Sequence, residues 1–307
     1  MRRLVSVLTL ALALAGVSGC SSSTPSSNTP SSNTSSTTAA PSSTPSSAGS
    51  APGAGPSGTP TPTPPADARL VLGLGDSLAA GYQPGRGDVR DTAYPARFAQ
   101  LLTTRGTPTA VVNLGCSGET ASSMVDGGRC TYPRGSQLAQ AEAELRAREG
   151  HVAAVTLDIG ANDVLSCLDR GGVDPGCASE AVGSAAAGVD TILTRLRNAA
   201  GPGVPIALVL YYDPFQVVPV ITAENKAAIH EQWQHLNTAL ATKAAPHGAT
   251  VVDLGAVFGT DSTGSAPTTD SPVCQLTWMC TQGDFHLTDT GAEKVAQAIG
   301  DALPALR

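Results

Sequence analysis

Five short apolar runs constrain this chain most: "RLVLGLG" at 69–75, "TAVVNLG" at 109–115, "VAAVTLDIG" at 152–160, "VPIALVLYY" at 204–212 and "ATVVDLG" at 249–255. Each is rich in Val, Leu and Ile but lacks strict polar–apolar alternation. That pattern belongs to strands covered on both faces, as in a parallel sheet. Helix-like stretches separate them: 95–106, 136–150, 179–199 and 223–245, with a last one at 290–306. Several end in glycine, as helix C-termini commonly do. The β–α alternation predicts a doubly wound sheet with functional groups on loops at the carboxyl edges of the strands.

Those edges carry the notable chemistry. The first run leads into Gly75-Asp76-Ser77-Leu78, the second into "NLGCSGETASSM", and the third into "DIGANDV" with Asn162 and Asp163. Before the last helix comes "GDFHLTDTG" with His286. Together the four blocks, in this order, resemble the SGNH, or GDSL, family of serine esterases and lipases, from the first strand to the last helix. The resemblance implies a flavodoxin-like three-layer α/β/α sandwich on a five-stranded parallel sheet. It implies Ser77 as nucleophile and His286 as general base. Oxyanion donors would be the backbone N–H of Ser77, that of Gly115, and the Asn162 side-chain amide. The chemistry agrees: acyl transfer needs donors aimed at the developing oxyanion, and glycine lets a backbone N–H approach a substrate closely.

One position departs from the family. Its usual acid lies three residues before the histidine, where this chain has Gly283; Asp284 lies two before. Either Asp284 orients the imidazole, which is the favoured reading, or a backbone carbonyl does so and leaves a Ser–His dyad. Asp76 and Asp163 are expected to brace the serine and asparagine loops, and Asp158 to be structural.

The N-terminus reads as an export signal. Arg2 and Arg3 precede an apolar segment, Leu4 to Ala15, too short to span a membrane. Val-Ser-Gly-Cys at 17–20 then resembles a bacterial lipobox, which implies removal of residues 1–19 and lipid modification of Cys20. Residues 21–66 contain no charged or aromatic residue, so residues 20–67 are expected to be a disordered linker. Residues 68–307 form the expected hydrolase domain, held at the outer face of the cell membrane. Beyond Cys20, six cysteines remain in an exported chain, where disulfides are favoured. Six allow fifteen pairings; the simplest joins sequence neighbours, Cys116–Cys130, Cys167–Cys177 and Cys274–Cys280.

A net charge of −7 without a basic cluster argues against a nucleic-acid partner. No CxxC occurs, and neither metal nor cofactor is expected. The "HEQWQH" stretch at 230–235 spaces its histidines five apart, about 140° around a helix, so both cannot face one zinc; surface histidines are expected. The function these features imply is hydrolysis of carboxylic esters, lipid acyl or acetylated polysaccharide, by a monomer. A catalytically silent lipid- or carbohydrate-binding lipoprotein on the same fold is the alternative.

Overall fold

Leu70, Leu72 and Leu74 are wholly shielded from solvent, and so is Val71 between them, because the first strand is covered on both faces. The computed structural model describes residues 67–169, 172–260 and 270–303. The leader, Cys20 and the linker up to residue 66 lie outside the described residues. Five parallel strands form the sheet: β1 (Arg69–Gly75), β2 (Thr109–Asn113), β3 (Val152–Asp158), β4 (Ile206–Val209) and β5 (Thr250–Val252). Their order is β2-β1-β3-β4-β5, the flavodoxin-like order, whose reversal between β1 and β3 opens a crevice at the strands' carboxyl ends. Every residue of β3 and β4 is buried, whereas edge strands β2 and β5 are half-exposed.

Four of the five apolar runs are longer than the strands they form. The second stops at Asn113 because that side chain turns back on the loop, donating to the Ala79 carbonyl at 2.7 Å and accepting from Gly115 N–H at 2.9 Å. In the fourth, Tyr211 leaves the sheet by donating its N–H to Asn237 Oδ1.

The long helices match the expected spans. One pair, α2 (Tyr94–Thr104) and α11 (Asp289–Ala302), packs together. A second group comprises α4 (Gln137–Ala147), α6 (Pro175–Ala200) and α7 (Ala223–Ala244). With the sheet between the groups, the sandwich has the expected three layers. Short helices that the sequence pattern does not show cluster at the sheet's functional edge: α1 (Ser77–Ala80), α3 (Ala121–Asp126), α5 (Ala161–Leu165), α8 (Leu254–Phe258), α9 (Pro272–Leu276) and α10 (Met279–Gln282). They are too short to show a 3.6-residue periodicity.

All three neighbouring cysteine pairs are bonded, with Cα separations of 6.3, 5.6 and 5.2 Å. Loops this short correspond to about 2–3 kcal/mol each in the chain-entropy model. Cys116–Cys130 anchors the loop after β2, and Cys274–Cys280 joins α9 to α10 just ahead of His286.

Candidate active site

Ser77 is the first residue of α1, separated from the end of β1 by one residue. Asp76 caps this helix, accepting the Leu78 N–H at 3.0 Å through Oδ1 and the Tyr211 hydroxyl at 2.7 Å through Oδ2. Behind it, the wholly buried Gln137 brackets Gly75, accepting its N–H at 2.7 Å and donating to its carbonyl at 3.0 Å. The serine mount is thus gripped on both sides. At the start of a helix the Ser77 N–H has no intrahelical acceptor.

His286 reaches Ser77 from the loop between α10 and α11. Its Nε2 lies 2.8 Å from Ser77 Oγ and its Nδ1 2.7 Å from Asp284 Oδ1. The same carboxylate oxygen accepts the backbone N–H of His286 at 2.9 Å, so Asp284 wraps around the residue it orients. Gly283 makes this compact turn feasible: it ends α10 at φ +66°, a left-handed conformation costly for other residues. The loop is strapped by the Trp278 N–H on the His286 carbonyl at 3.0 Å and the Tyr212 hydroxyl on the Phe285 carbonyl. Tyr82 and Phe285 flank the imidazole, with ring centroids at 4.4 and 4.5 Å. Burial alone would raise the Asp284 pKa; the hydrogen bond and charge of His286 outweigh it and hold the carboxyl below its ordinary value.

Asn162 lies in the first turn of α5 and donates one amide hydrogen to the Glu119 carbonyl at 2.9 Å. Its NH₂ group has a second hydrogen. The Gly115 expectation needs correction: its N–H is already donated to Asn113, and its carbonyl accepts the Arg90 guanidinium at 2.6 and 3.2 Å. Glycine is needed there for packing, since a Cβ would fall 2.4 Å from the Ala80 nitrogen. Three residues on, Gly118 takes a φ of +78° and precedes the residue that holds Asn162. Its N–H makes no hydrogen bond among the described residues.

Glu119, 1% exposed, carries this loop. Its carboxylate accepts from Ser123 Oγ and, at 3.0 Å, from Gln137 Nε2; burial nevertheless raises its pKa. Gln137 therefore links the serine mount to the Gly118–Asn162 side of the site. Asp163 braces from the other direction, accepting the Ala121 N–H at 3.1 Å. Glu119 and Gln137 are not marked in the sequence, because an acid after a glycine and a glutamine in a helix's first turn carry no local signal.

Asp158 is more than a generic structural residue. Fully buried beside Asp76, it accepts the Asp76 N–H at 3.2 Å and the Tyr94 hydroxyl. Burial first, then the Asp76 carboxylate, push its pKa well above the ordinary value. The stabilisation of its protonated form is complete below the ordinary carboxylate range and is lost as pH rises through the raised value. Asp158→Asn, which mimics the protonated acid, is therefore expected to reduce the fall in Tm from mildly acidic to alkaline pH. Melting curves across that range check this; equal slopes for variant and wild type contradict it.

The histidines at 230 and 235 do not pair. His235 is exposed, but His230 is buried against Asp213, its Nδ1 at 3.1 Å from Oδ2, which corrects the expectation of two surface residues. Among the described residues no group of His, Cys, Asp and Glu could hold a metal ion.

The GDSL-like lipase/acylhydrolase family model matches residues 74–294, and the chain belongs to that family of ester hydrolases. No curated protein matches the sequence. Among solved structures, a catalytic mutant of the acetylxylan esterase Axe2 from Geobacillus stearothermophilus superposes with a TM-score of 0.53 at 16% identity, covering 77% of this chain and 94% of that one. The extracellular lipase from Streptomyces rimosus gives 0.52 at 19%, covering 76% and 100%. Phospholipase A1 from Streptomyces albidoflavus NA297 gives 0.50 at 21%, covering 76% and 99%. At these identities the likeness is one of fold.

Proposed function

We propose that the protein hydrolyses carboxylic esters through an acyl-enzyme on Ser77. The observation that carries this reading is the unbroken hydrogen-bonded chain Ser77–His286–Asp284, at 2.8 and 2.7 Å. Ser77 Oγ attacks the ester carbonyl and its proton passes to His286 Nε2. Asp284, ionised, accepts the Nδ1–H and stabilises the imidazolium. The oxyanion is received by the N–H of Ser77, the free amide hydrogen of Asn162 and the N–H of Gly118, which replaces Gly115 in this role. Collapse expels the alcohol, which takes the proton back from His286. Water, deprotonated by the same imidazole, then releases the acid and restores Ser77.

Asn162→Ala is expected to lower kcat by roughly 10²–10³-fold with little change in KM, because the donor acts mainly in the transition state. Steady-state kinetics on a soluble ester check this; a loss confined to KM would make Asn162 a ground-state contact instead.

We also propose that residues 68–307 work on a tether, residues 20–67, from a lipid-modified Cys20 at the outer face of the cell membrane. The support is the Val-Ser-Gly-Cys block behind an apolar leader. Cys20→Ala is expected to shift the protein out of the detergent phase on partitioning or to block its processing. Unchanged partitioning and processing would contradict the anchor.

A further inference from the structure

We infer that the apolar pocket beside Ser77 is a short-acyl chamber, so that the esters taken are those of acetic and propanoic acid rather than long-chain lipids. The inference rests on the serine-hydrolase reading above and concerns which half of the ester the pocket receives.

Ser77, Asn162 and Leu78 border the pocket, and its walls are Leu165, Tyr212, Pro214, Phe215, Trp233 and Phe285. His286 does not border it. Three directions leave the carbon under attack besides the bond to Ser77. The oxyanion points to the donors, and the departing alcohol must meet His286 Nε2 to recover its proton. The remaining direction belongs to the acyl chain. A pocket that includes Asn162 and leaves out His286 lies on that side.

Its size sets the limit. The space available to water-sized groups is about 30 Å³, and one such group needs roughly 10–15 Å³. The methyl of an acetyl group or the ethyl of a propanoyl group fills that space; a longer chain must run out through the open mouth of the cleft or displace a wall.

The walls are cross-braced against such displacement. Trp233 Nε1 donates to the Tyr212 carbonyl at 2.8 Å, and Phe215 meets the Trp233 ring edge-on at 5.8 Å. The Tyr212 ring stacks on Phe258 at 4.1 Å, while its hydroxyl holds the Phe285 carbonyl. Asp213 pins the next few residues, accepting the Phe215 N–H at 2.9 Å and Gln216 Nε2 at 2.6 Å. His230 from α7 closes on that same carboxylate, which gives the buried histidine a structural task. Leu165, Phe215 and Phe285 are the half-buried walls; Phe285 also flanks the imidazole, so truncating Leu165 or Phe215 is the way to enlarge the chamber while leaving the bracing hydrogen bonds in place.

The test measures kcat/KM of the full chain on 4-nitrophenyl acetate, propanoate, butanoate, hexanoate and octanoate, all below their micellar concentrations. Fluorophosphonate labelling of Ser77 and thermal melts run in parallel. Acetate and propanoate should be best, with a drop of about 10-fold or more by hexanoate, as a filled apolar pocket imposes. Phe215→Ala and Leu165→Ala should each narrow the acetate–hexanoate gap by about 10-fold, mainly by gain on hexanoate. If an alanine variant melts below the assay temperature, Phe215→Leu should shift the preference the same way by a smaller factor. A labelled Ser77 with octanoate matching or exceeding acetate, or with no ester of the series cleaved, overturns the chamber and leaves the nucleophile standing. Folded wall variants with an unchanged preference overturn it as well. Absence of both labelling and turnover overturns the reading on which it rests.

Discussion

His286→Ala is expected to lower kcat by about 10⁶-fold, the scale seen when a serine hydrolase loses a member that acts only in concert with the others. Without the imidazole, Ser77 Oγ has no acceptor for its proton during attack, and the departing alkoxide has no donor. The oxyanion donors and the acyl pocket would remain, so substrate should still bind and KM should change little. Stability should survive too, because among the described residues the His286 ring hydrogen-bonds only to Ser77 and Asp284, while the loop is strapped through backbone groups of residues 285 and 286. Steady-state kinetics with a melting curve for the same preparation check this. A folded variant retaining more than about a thousandth of the activity would contradict the role of His286, since removing a triad's base costs far more.

Asp284→Ala should cost about 10⁴-fold in kcat, the loss found when the orienting acid of a triad is disabled. The reason is local. Asp284 Oδ1 holds both the ring N–H and the main-chain N–H of His286, so it selects the tautomer whose Nε2 is free to accept the serine proton. Its pKa, depressed by His286 against the opposing effect of burial, keeps this support in place above the ordinary carboxylate range and releases it as pH falls through the depressed value. A dyad would behave differently. If a carbonyl oriented the ring, Asp284→Ala would lose only a few-fold beside near-abolition at His286→Ala. Measuring both variants side by side at neutral pH decides between them.

Much of this site is legible in the chain because its parts come directly after buried strands. β1 and β3 are apolar throughout for a physical reason, coverage on both faces, and the loop leaving each strand is confined to the sheet's carboxyl edge. Ser77 and Asn162 are placed by that rule alone. The disulfides are legible because each pair closes a short loop in sequence. Other features depend on contacts across the fold. Two glycines, 115 and 118, lie in one loop, and only the Asn113 side chain, folded back from the end of β2, shows that the first has no N–H to offer. Asp284 is ambiguous in sequence because a carboxylate two residues before a histidine reaches its ring only through the turn that Gly283 sets. His230 has the pattern of a surface residue on a polar helix; Asp213, in the loop after β4, holds it in a buried contact. Glu119 and Gln137 meet from separate helix–loop segments, and nothing local marks them.

The central claim is that Ser77 becomes acylated with His286 as its base. Its most direct measurement is peptide mapping by mass spectrometry after reaction with a fluorophosphonate, on the wild type, Ser77→Ala and His286→Ala. A single adduct on the peptide containing Ser77, absent from Ser77→Ala and strongly slowed in His286→Ala, is the result expected. An adduct on another residue, or ester hydrolysis that persists in folded Ser77→Ala, would contradict the account.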